Sequence, residues 1–238
     1  MIPLRDSIRS RRFPLVTVLL VALNTLVFLY EVSLPRQALV AFTMKWGFTP
    51  AVLFGPGGYA PPAPHGVPWL GAGGAPPVLT LVTSTFIHGG WMHLLVNMLF
   101  LWVFGDNVED RLGRLRYLAF YLLSGVAANL AHGLAAPAAD VPVVGASGAV
   151  AGVLGAYFVG FPRSRITSLV FLGVFVTVTR VPAVIFLVVW FILQLFMGLA
   201  SFGAPGQTVA WWAHIGGFVA GAALFSLLRA LRPARVRT

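Results

Sequence analysis

Cysteine is absent from the 238-residue sequence, which excludes disulfide bonds, thiolate nucleophiles and thiolate zinc ligands. Charged residues are scarce, at 9% of the chain against about a quarter in an ordinary soluble domain. Hydrophobic residues make up 58% of the chain instead. This composition predicts a membrane protein whose functional chemistry depends on oxygen and nitrogen groups.

Acidic residues in particular are few, with 6 Asp and Glu against 16 Lys and Arg and a net charge of +10. On a soluble protein this excess would suggest nucleic-acid binding, because clustered cations neutralise phosphates. Here most of the arginines lie in four clusters between apolar segments: Arg5, Arg9, Arg11 and Arg12; Arg111, Arg114 and Arg116; Arg163, Arg165 and Arg180; and Arg229, Arg232, Arg235 and Arg237. Since cytoplasmic loops retain Lys and Arg, we predict that both termini face the cytoplasm and that the chain contacts a lipid bilayer, with no nucleic-acid partner.

The apolar segments predict an all-α, polytopic fold with six transmembrane helices, because a bilayer core about 30 Å thick needs roughly 17–25 apolar residues per helix. The predicted spans are 14–30, 92–106, 115–134, 147–161, 183–200 and 211–228. The first is too long for a signal-peptide core and lacks a small-x-small cleavage site, so we expect it to be retained. One helical domain (14–228) therefore lies between a basic cytoplasmic amino terminus (1–13) and a basic cytoplasmic tail (229–238), with a long, Gly- and Pro-rich first external loop (31–90).

Segment 166–179 is the ambiguous part of this topology, because it is apolar and β-branched but only 14 residues long. Arg165 and Arg180 flank it, and positive charge at both ends favours an interfacial or re-entrant element whose ends lie on the same side. A seventh span here would place His214 on the opposite face from Ser147.

Polar side chains within apolar helices are costly and are therefore candidates for function. Ser147 and His214 lie at the predicted outer ends of their helices, as do His93 and Asn97, whose four-residue spacing puts them on one helix face. A serine becomes a nucleophile when a base accepts its proton, so we predict that Ser147 and His214 form a catalytic pair. The helices must then approach closely, and small residues at Gly145, Gly148, Gly217 and Gly221 would permit this approach.

A third catalytic member is not evident, since Asp140 is the only acidic residue expected on the outer side beyond the first span and it falls in a loop. We therefore predict a Ser-His dyad without a carboxylate, in which low dielectric and packing orient the imidazole. His93 and Asn97 can donate hydrogen bonds to the oxyanion of a tetrahedral intermediate. We assign His132 and Gln194 to interhelical hydrogen bonds.

These residues resemble the rhomboid intramembrane proteases. The matching motifs are Gly145-Ala146-Ser147-Gly148-Ala149, Ala213-His214-Ile215-Gly216-Gly217, the His88, His93 and Asn97 series, and Glu109-Asp110-Arg111-Leu112-Gly113. The resemblance implies Ser147 as nucleophile, His214 as general base, and His93, Asn97 and the Ser147 backbone amide as oxyanion donors. It also implies cleavage of transmembrane protein substrates, preferably after small residues near a helix-destabilised segment, with no metal or cofactor. Two features depart from some family members: a Trp-Arg pair is missing from the first loop, and Ala151 replaces an aromatic residue that packs on the base.

Alternative readings of these residues remain. His88 is predicted to make a structural hydrogen bond that holds the first loop, and Glu109 with Arg111 to form a cytoplasmic ion pair. A membrane metalloprotease would need a His-Glu-x-x-His helix, which the sequence lacks. A rhomboid-like pseudoprotease, which binds membrane proteins without cleavage, is the non-enzymatic alternative, although such a protein would be expected to lack Ser147 or His214. The preference for Arg over Lys suggests a prokaryotic plasma membrane, with the active site opening to the outer side.

Overall fold

The computed structural model describes residues 1–55, 75–173, 175–201 and 209–231. The centre of the long first loop and the tail arginines Arg232, Arg235 and Arg237 lie outside the described residues. The described chain is mostly helical. Its helices are α1 Leu15–Ser33, α2 Arg36–Trp46, α3 Pro50–Phe54, α4 Pro77–Thr83, α5 Trp91–Leu112, α6 Arg114–Ala135, α7 Ser147–Gly160, α8 Ala183–Ala200 and α9 Trp211–Ala230. A 3₁₀ turn, Ser84–Phe86, follows α4.

Each predicted span overlaps one of the six longest helices among the described residues, which confirms the helical membrane fold. Within the described residues, four helices (α1, α6, α8 and α9) are long and apolar enough to cross a bilayer. The α4 segment and α5 satisfy the same test together but are bent by 85° relative to each other. Helix α7 has 14 residues and is thus about 21 Å long, shorter than a bilayer core. A count of six spans therefore remains a prediction.

Helix α7 is the central helix of the bundle, and every residue from Gly148 to Tyr157 is buried. Its backbone touches that of α9. A Cβ added to Gly217 would collide with the Gly148 carbonyl oxygen, and one added to Gly221 would collide with the Gly152 backbone. Only hydrogen at the α-carbon permits this approach, and it brings the amino-terminal ends of α7 and α9 together.

Segment 166–179 forms most of a β-hairpin, made of β2 (Arg165–Leu172) and β3 (Phe175–Pro182). The strands are antiparallel, and Arg165 pairs with Pro182, so the two ends of the segment lie side by side. A strand at the amino terminus, β1 (Ile2–Asp6), pairs antiparallel with β2 to give the order β1-β2-β3. The hairpin is neither a membrane-spanning helix nor a re-entrant one, and the all-α prediction did not include this three-stranded sheet. Its Val, Ile and Thr content is typical of strands.

Asp6, at the end of β1, connects the sheet to the helical bundle. Its carboxylate accepts hydrogen bonds from Asn107 Nδ2 at 2.7 Å and from the Tyr157 hydroxyl at 2.6 Å, and so links β1 to α5 and α7. Burial raises the pKa of Asp6 above its ordinary value, and the hydrogen bond from Tyr157 opposes that rise. The sheet is thus fixed at the end of the bundle where α7 ends and α8 begins.

Glu109 anchors the amino-terminal end of α1, and within the described residues the predicted ion pair between Glu109 and Arg111 is not observed. The buried Glu109 carboxylate accepts hydrogen bonds from the backbone amides of Val16 and Thr17, at 3.0 and 2.8 Å, and from the Thr17 hydroxyl at 2.9 Å. The first amides of a helix lack partners within that helix and favour negative charge. The Arg111 guanidinium instead lies 5.5 Å from the centre of the Phe161 ring. The two charged residues therefore have separate structural tasks.

Candidate active site

Ser147 and His214 meet at the end of the bundle where α7 and α9 both begin. Ser147 is the first residue of α7, and His214 lies in the first turn of α9. Ser147 Oγ is 2.8 Å from His214 Nε2, which is within the range of a hydrogen bond between a nucleophile and its base. The close backbone contact of the two helices makes this distance possible. Both side chains are half-buried at the surface of a cavity.

Gln194 of α8 completes a chain of three hydrogen-bonded side chains. Its Oε1 atom lies 2.7 Å from His214 Nδ1, on the opposite side of the imidazole from Ser147. The sequence-based assignment of Gln194 to an interhelical hydrogen bond is therefore correct. The expectation that low dielectric and packing orient the His214 ring did not include this hydrogen bond. A residue that sequence reasoning left outside the site is a direct partner of the predicted base.

Aromatic rings also contact the His214 imidazole. The Trp190 ring of α8 lies 6.2 Å from it, centroid to centroid, at an interplanar angle of 36°, and Trp211 approaches edge-on at 6.0 Å. Ala151, at the position where some family members carry an aromatic residue, is completely buried in α7. The aromatic packing of the base thus comes from α8 and α9.

His93 lies next to the serine, across Gly145. A Cβ built on Gly145 would stand 2.6 Å from His93 Nε2 and 3.6 Å from Ser147 Oγ, so both side chains face the same point on the backbone. Gly145 also has φ +127°, a conformation that favours glycine. The Gly145 amide donates to the Ser84 carbonyl oxygen at 2.9 Å, which fixes this part of the backbone against the 3₁₀ turn. A larger residue at position 145 would displace either His93 or the loop that leads to Ser147.

The protonation of His93 can be assigned from its other ring nitrogen. The Gly89 backbone amide donates to His93 Nδ1 at 3.3 Å, so that nitrogen acts as an acceptor. A neutral imidazole then carries its proton on Nε2, the atom that faces Gly145. His93 therefore presents an N–H donor towards the side of the cavity that contains Ser147.

Asn97 is buried one helical turn after His93. Its Nδ2 atom donates to the His93 carbonyl oxygen at 2.9 Å, which uses one of the two amide hydrogens. Asn97 lines the same cavity as His93, Ser147 and His214. The four residues that the sequence placed at one depth are therefore brought together around one space.

His88 has a structural role, but through its backbone. The His88 amide donates to the buried carboxylate of Glu31, at 3.2 and 3.3 Å from the two oxygens. Its imidazole packs against the His93 ring with the centroids 5.2 Å apart, and within the described residues neither ring nitrogen has a hydrogen-bond partner. The predicted structural hydrogen bond of His88 is thus made by its backbone amide, and it goes to Glu31, a residue that sequence reasoning did not connect to the site.

A cavity of about 1020 Å³ opens in front of Ser147. Its wall is formed by the site residues, by the Ala- and Val-rich segment 135–144 and by Trp211 and Trp212. His132 also lines this cavity, and its Nδ1 atom has no hydrogen-bond partner in the part of the chain that the structure describes. A volume of this size is at the upper end of the range of sites that bind organic ligands. No group of three or more His, Asp or Glu side chains among the described residues could hold a metal ion.

This chain is thus a polytopic membrane protein with a serine–histidine pair in a cavity at one end of a bundle of apolar helices. The chain belongs to the rhomboid family, because residues 76–231 match the Rhomboid domain. It is 35% identical over 153 residues to the chloroplastic Rhomboid-like protein 11 of Arabidopsis thaliana, covering 62% of this chain and 51% of that protein. It is 37% identical over 97 residues to the mitochondrial Rhomboid protein 1 of Saccharomyces cerevisiae, covering 39% and 28%.

A bacterial relative is also similar: a candidate rhomboid protease of Bacillus subtilis (strain 168), YdcA, is 38% identical over 77 residues, covering 32% of this chain and 38% of the relative. The chain thus spans about half or less of the length of these curated relatives. Family membership and the apolar helices together show that the protein is an integral membrane protein.

Proposed function

We propose that this protein is an intramembrane serine endopeptidase, which hydrolyses peptide bonds in or near the transmembrane segments of other membrane proteins. The observation that carries the proposal is the 2.8 Å contact between Ser147 Oγ and His214 Nε2 in the wall of a large cavity. Rhomboid family membership supports the same reaction class.

In the first step, Ser147 Oγ attacks the carbonyl carbon of the scissile peptide bond while His214 Nε2 accepts the hydroxyl proton. The C–N bond of the resulting tetrahedral intermediate breaks, and His214 gives the proton to the leaving amine. A water molecule then attacks the acyl-enzyme, with His214 again accepting a proton, and hydrolysis of the ester releases Ser147. The reaction uses the side chains of α7 and α9 alone for nucleophile and base.

Negative charge develops on the carbonyl oxygen during attack, and in the proposed mechanism three donors stabilise it. His93 offers Nε2–H, because its Nδ1 atom accepts from Gly89. Asn97 retains one amide hydrogen beyond the bond to the His93 carbonyl oxygen. The Ser147 backbone amide lies at the start of α7, where helix amides are without intrahelical partners. Removal of one such donor costs about 3–4 kcal/mol of transition-state stabilisation in a well-ordered site.

The proposed substrate class, with cleavage preferably after small residues near a helix-destabilised segment, rests on the resemblance to the rhomboid intramembrane proteases. The cavity in front of Ser147 has room for an extended peptide segment. A peptide in a regular helix would not present its carbonyl carbon to a nucleophile, so a segment with weak helical structure is the better substrate.

In the proposed topology, six helices cross the bilayer and both termini are cytoplasmic. The arginine clusters then lie on the cytoplasmic side, and the cavity opens to the outer side. We place the protein in a prokaryotic plasma membrane because the sequence prefers Arg to Lys. Its named relatives include chloroplast and mitochondrial proteins as well as a bacterial one.

Labelling with a fluorophosphonate, which reacts with activated serines, tests the proposal directly. The purified protein should be labelled and should cleave a model transmembrane substrate, while Ser147→Ala and His214→Ala should do neither and remain folded and inserted. Undiminished proteolysis by Ser147→Ala would refute the mechanism. A parent protein that binds the substrate but is neither labelled nor able to cleave it would favour a rhomboid-like pseudoprotease.

A further inference from the structure

Gln194 occupies the place that a carboxylate takes in a Ser-His-Asp site. Its Oε1 atom is 2.7 Å from His214 Nδ1, while His214 Nε2 faces Ser147 Oγ at 2.8 Å. Each of the three residues comes from a different helix: Gln194 from α8, His214 from α9 and Ser147 from α7. The contact therefore depends on how α8 is rotated against α9.

Burial of an amide side chain on α8 costs free energy unless the amide makes a hydrogen bond. Gln194 is the only polar residue among the 18 of this helix, and it is buried with 9% of its surface exposed. An amide in apolar surroundings needs a hydrogen-bond partner to offset the loss of water. The partner here is the imidazole of the proposed base, which indicates a task in the site beyond helix packing.

We infer that Gln194 is a positioning residue that holds His214 in the tautomer able to accept the Ser147 proton, an inference that rests on the proposed function. A carbonyl oxygen can only accept, so the 2.7 Å contact requires the imidazole proton to be on Nδ1. Nε2 then has a free lone pair directed at the serine hydroxyl. In the other tautomer, Nε2 carries the proton and cannot act as a base.

A neutral acceptor has a specific consequence in this environment. Gln194 fixes the tautomer without placing a charge among the apolar side chains of α8, where an isolated carboxylate would be expensive. It stabilises the protonated imidazole less than a carboxylate would. The acidic limb of the pH–rate profile should therefore respond to the chemistry of residue 194. The other titratable side chains that line the cavity, His93, His132 and Asp140, are the same in all the variants described below.

Three variants separate positioning from helix packing. Gln194→Leu removes the acceptor at similar size, Gln194→Glu keeps an acceptor at the same place, and Leu193→Ala changes a neighbouring side chain that is half exposed on the surface of α8. We expect Gln194→Leu to slow fluorophosphonate labelling about 10- to 100-fold and to lower kcat for cleavage of a model transmembrane substrate by a similar factor with KM unchanged, because it leaves the Nδ1–H group unpaired. Gln194→Glu should retain most of the rate and move the midpoint of the acidic limb to higher pH. Leu193→Ala should react like the parent.

Histidine-selective ¹⁵N NMR gives a readout that does not depend on activity. The His214→Ala spectrum identifies the His214 signals, which in the parent should show the Nδ1–H tautomer and in Gln194→Leu should shift towards the Nε2–H form. An Nε2–H tautomer in the parent, or an unchanged tautomer in Gln194→Leu, would overturn the inference. The inference would also be overturned if Gln194→Leu were labelled at the parental rate, or if the Leu and Glu variants lost labelling equally. If the parent shows the Nδ1–H tautomer but is not labelled by a fluorophosphonate, the proposed function is refuted. The positioning of His214 by Gln194 would still be supported.

Discussion

Replacement of Gly217 by alanine tests the backbone contact that holds Ser147 beside His214. The added methyl group would overlap the Gly148 carbonyl oxygen and would stand 3.3 Å from the Ala128 side chain. Because a carbonyl in a helix cannot turn aside, α7 and α9 must separate by about 1 Å to restore an ordinary contact distance. His214 lies one turn before Gly217 on the same face of α9, so the separation reaches the catalytic pair.

The two effects of this substitution differ in size. Overpacking of this kind costs about 1–3 kcal/mol of folding stability, which leaves most of the protein folded. A displacement of about 1 Å between reacting groups costs about 100-fold in rate. The Oγ–Nε2 distance, now 2.8 Å, would lengthen beyond the range of a hydrogen bond. We therefore expect Gly217→Ala to be inserted and folded but labelled by a fluorophosphonate about 100-fold more slowly than the parent.

The matched control is Val219→Ala. Val219 lies two residues further along α9 and is 55% exposed on the outside of the bundle, so its truncation should leave the labelling rate unchanged. Labelling rates are compared at equal amounts of folded protein, measured by thermal unfolding in the same detergent. A Gly217→Ala protein that reacts at the parental rate would show that the close approach of α7 and α9 is not what positions the pair.

Three further predictions concern the oxyanion donors, the anchor of α1 and the topology. His93→Ala should lower kcat by about two orders of magnitude, and Asn97→Ala should lower it by less, because one of the two Asn97 amide hydrogens is already used in a hydrogen bond. A variant as active as the parent would remove that residue from the oxyanion role. Glu109→Gln should lower the free energy of unfolding by about 2 kcal/mol, because a neutral amide accepts more weakly from the α1 amides, and an unchanged unfolding midpoint would contradict this. In this cysteine-free chain, Asp140→Cys should react with a membrane-impermeant maleimide added from outside, and Thr177→Cys should not. The reverse pattern would show that the proposed topology is inverted.

Much of the helical fold could be predicted, because the position of a membrane helix depends on a local run of apolar residues. The spans can be predicted from these runs alone, and the pairing of Ser147 with His214 can be predicted from the direction of each helix and from the two motifs. The hairpin could not be assigned in the same way, since a short β-branched apolar run fits a strand and a buried helix equally well. Its partner strand, β1, begins at Ile2, and no local pattern connects residues so far apart in sequence.

The errors at individual residues have physical reasons. Glu109 and Arg111 are two positions apart on α5, and side chains at that spacing do not face each other on a helix. Gln194 lies about 9 Å from the end of α8, near the depth of His214. Depth alone does not show which way α8 is rotated, so the contact with His214 Nδ1 could not be deduced from sequence. Glu31 was missed for a similar reason, because its partner is the backbone amide of His88 and a backbone group has no sequence signature.

The geometry of the catalytic pair depends on the hairpin as much as on the glycines. The pairing of Arg165 with Pro182 returns the chain to the level at which it left α7, so α8 begins beside the end of α7. Along the chain, α8 is the only helix between α7 and α9, so α7 and α9 run in the same direction with their amino-terminal ends together. A helix in place of the hairpin would have put two crossings between them and reversed α9. Ser147 and His214, each in the first turn of its helix, would then lie at opposite ends of the bundle, and the observed 2.8 Å contact would be impossible.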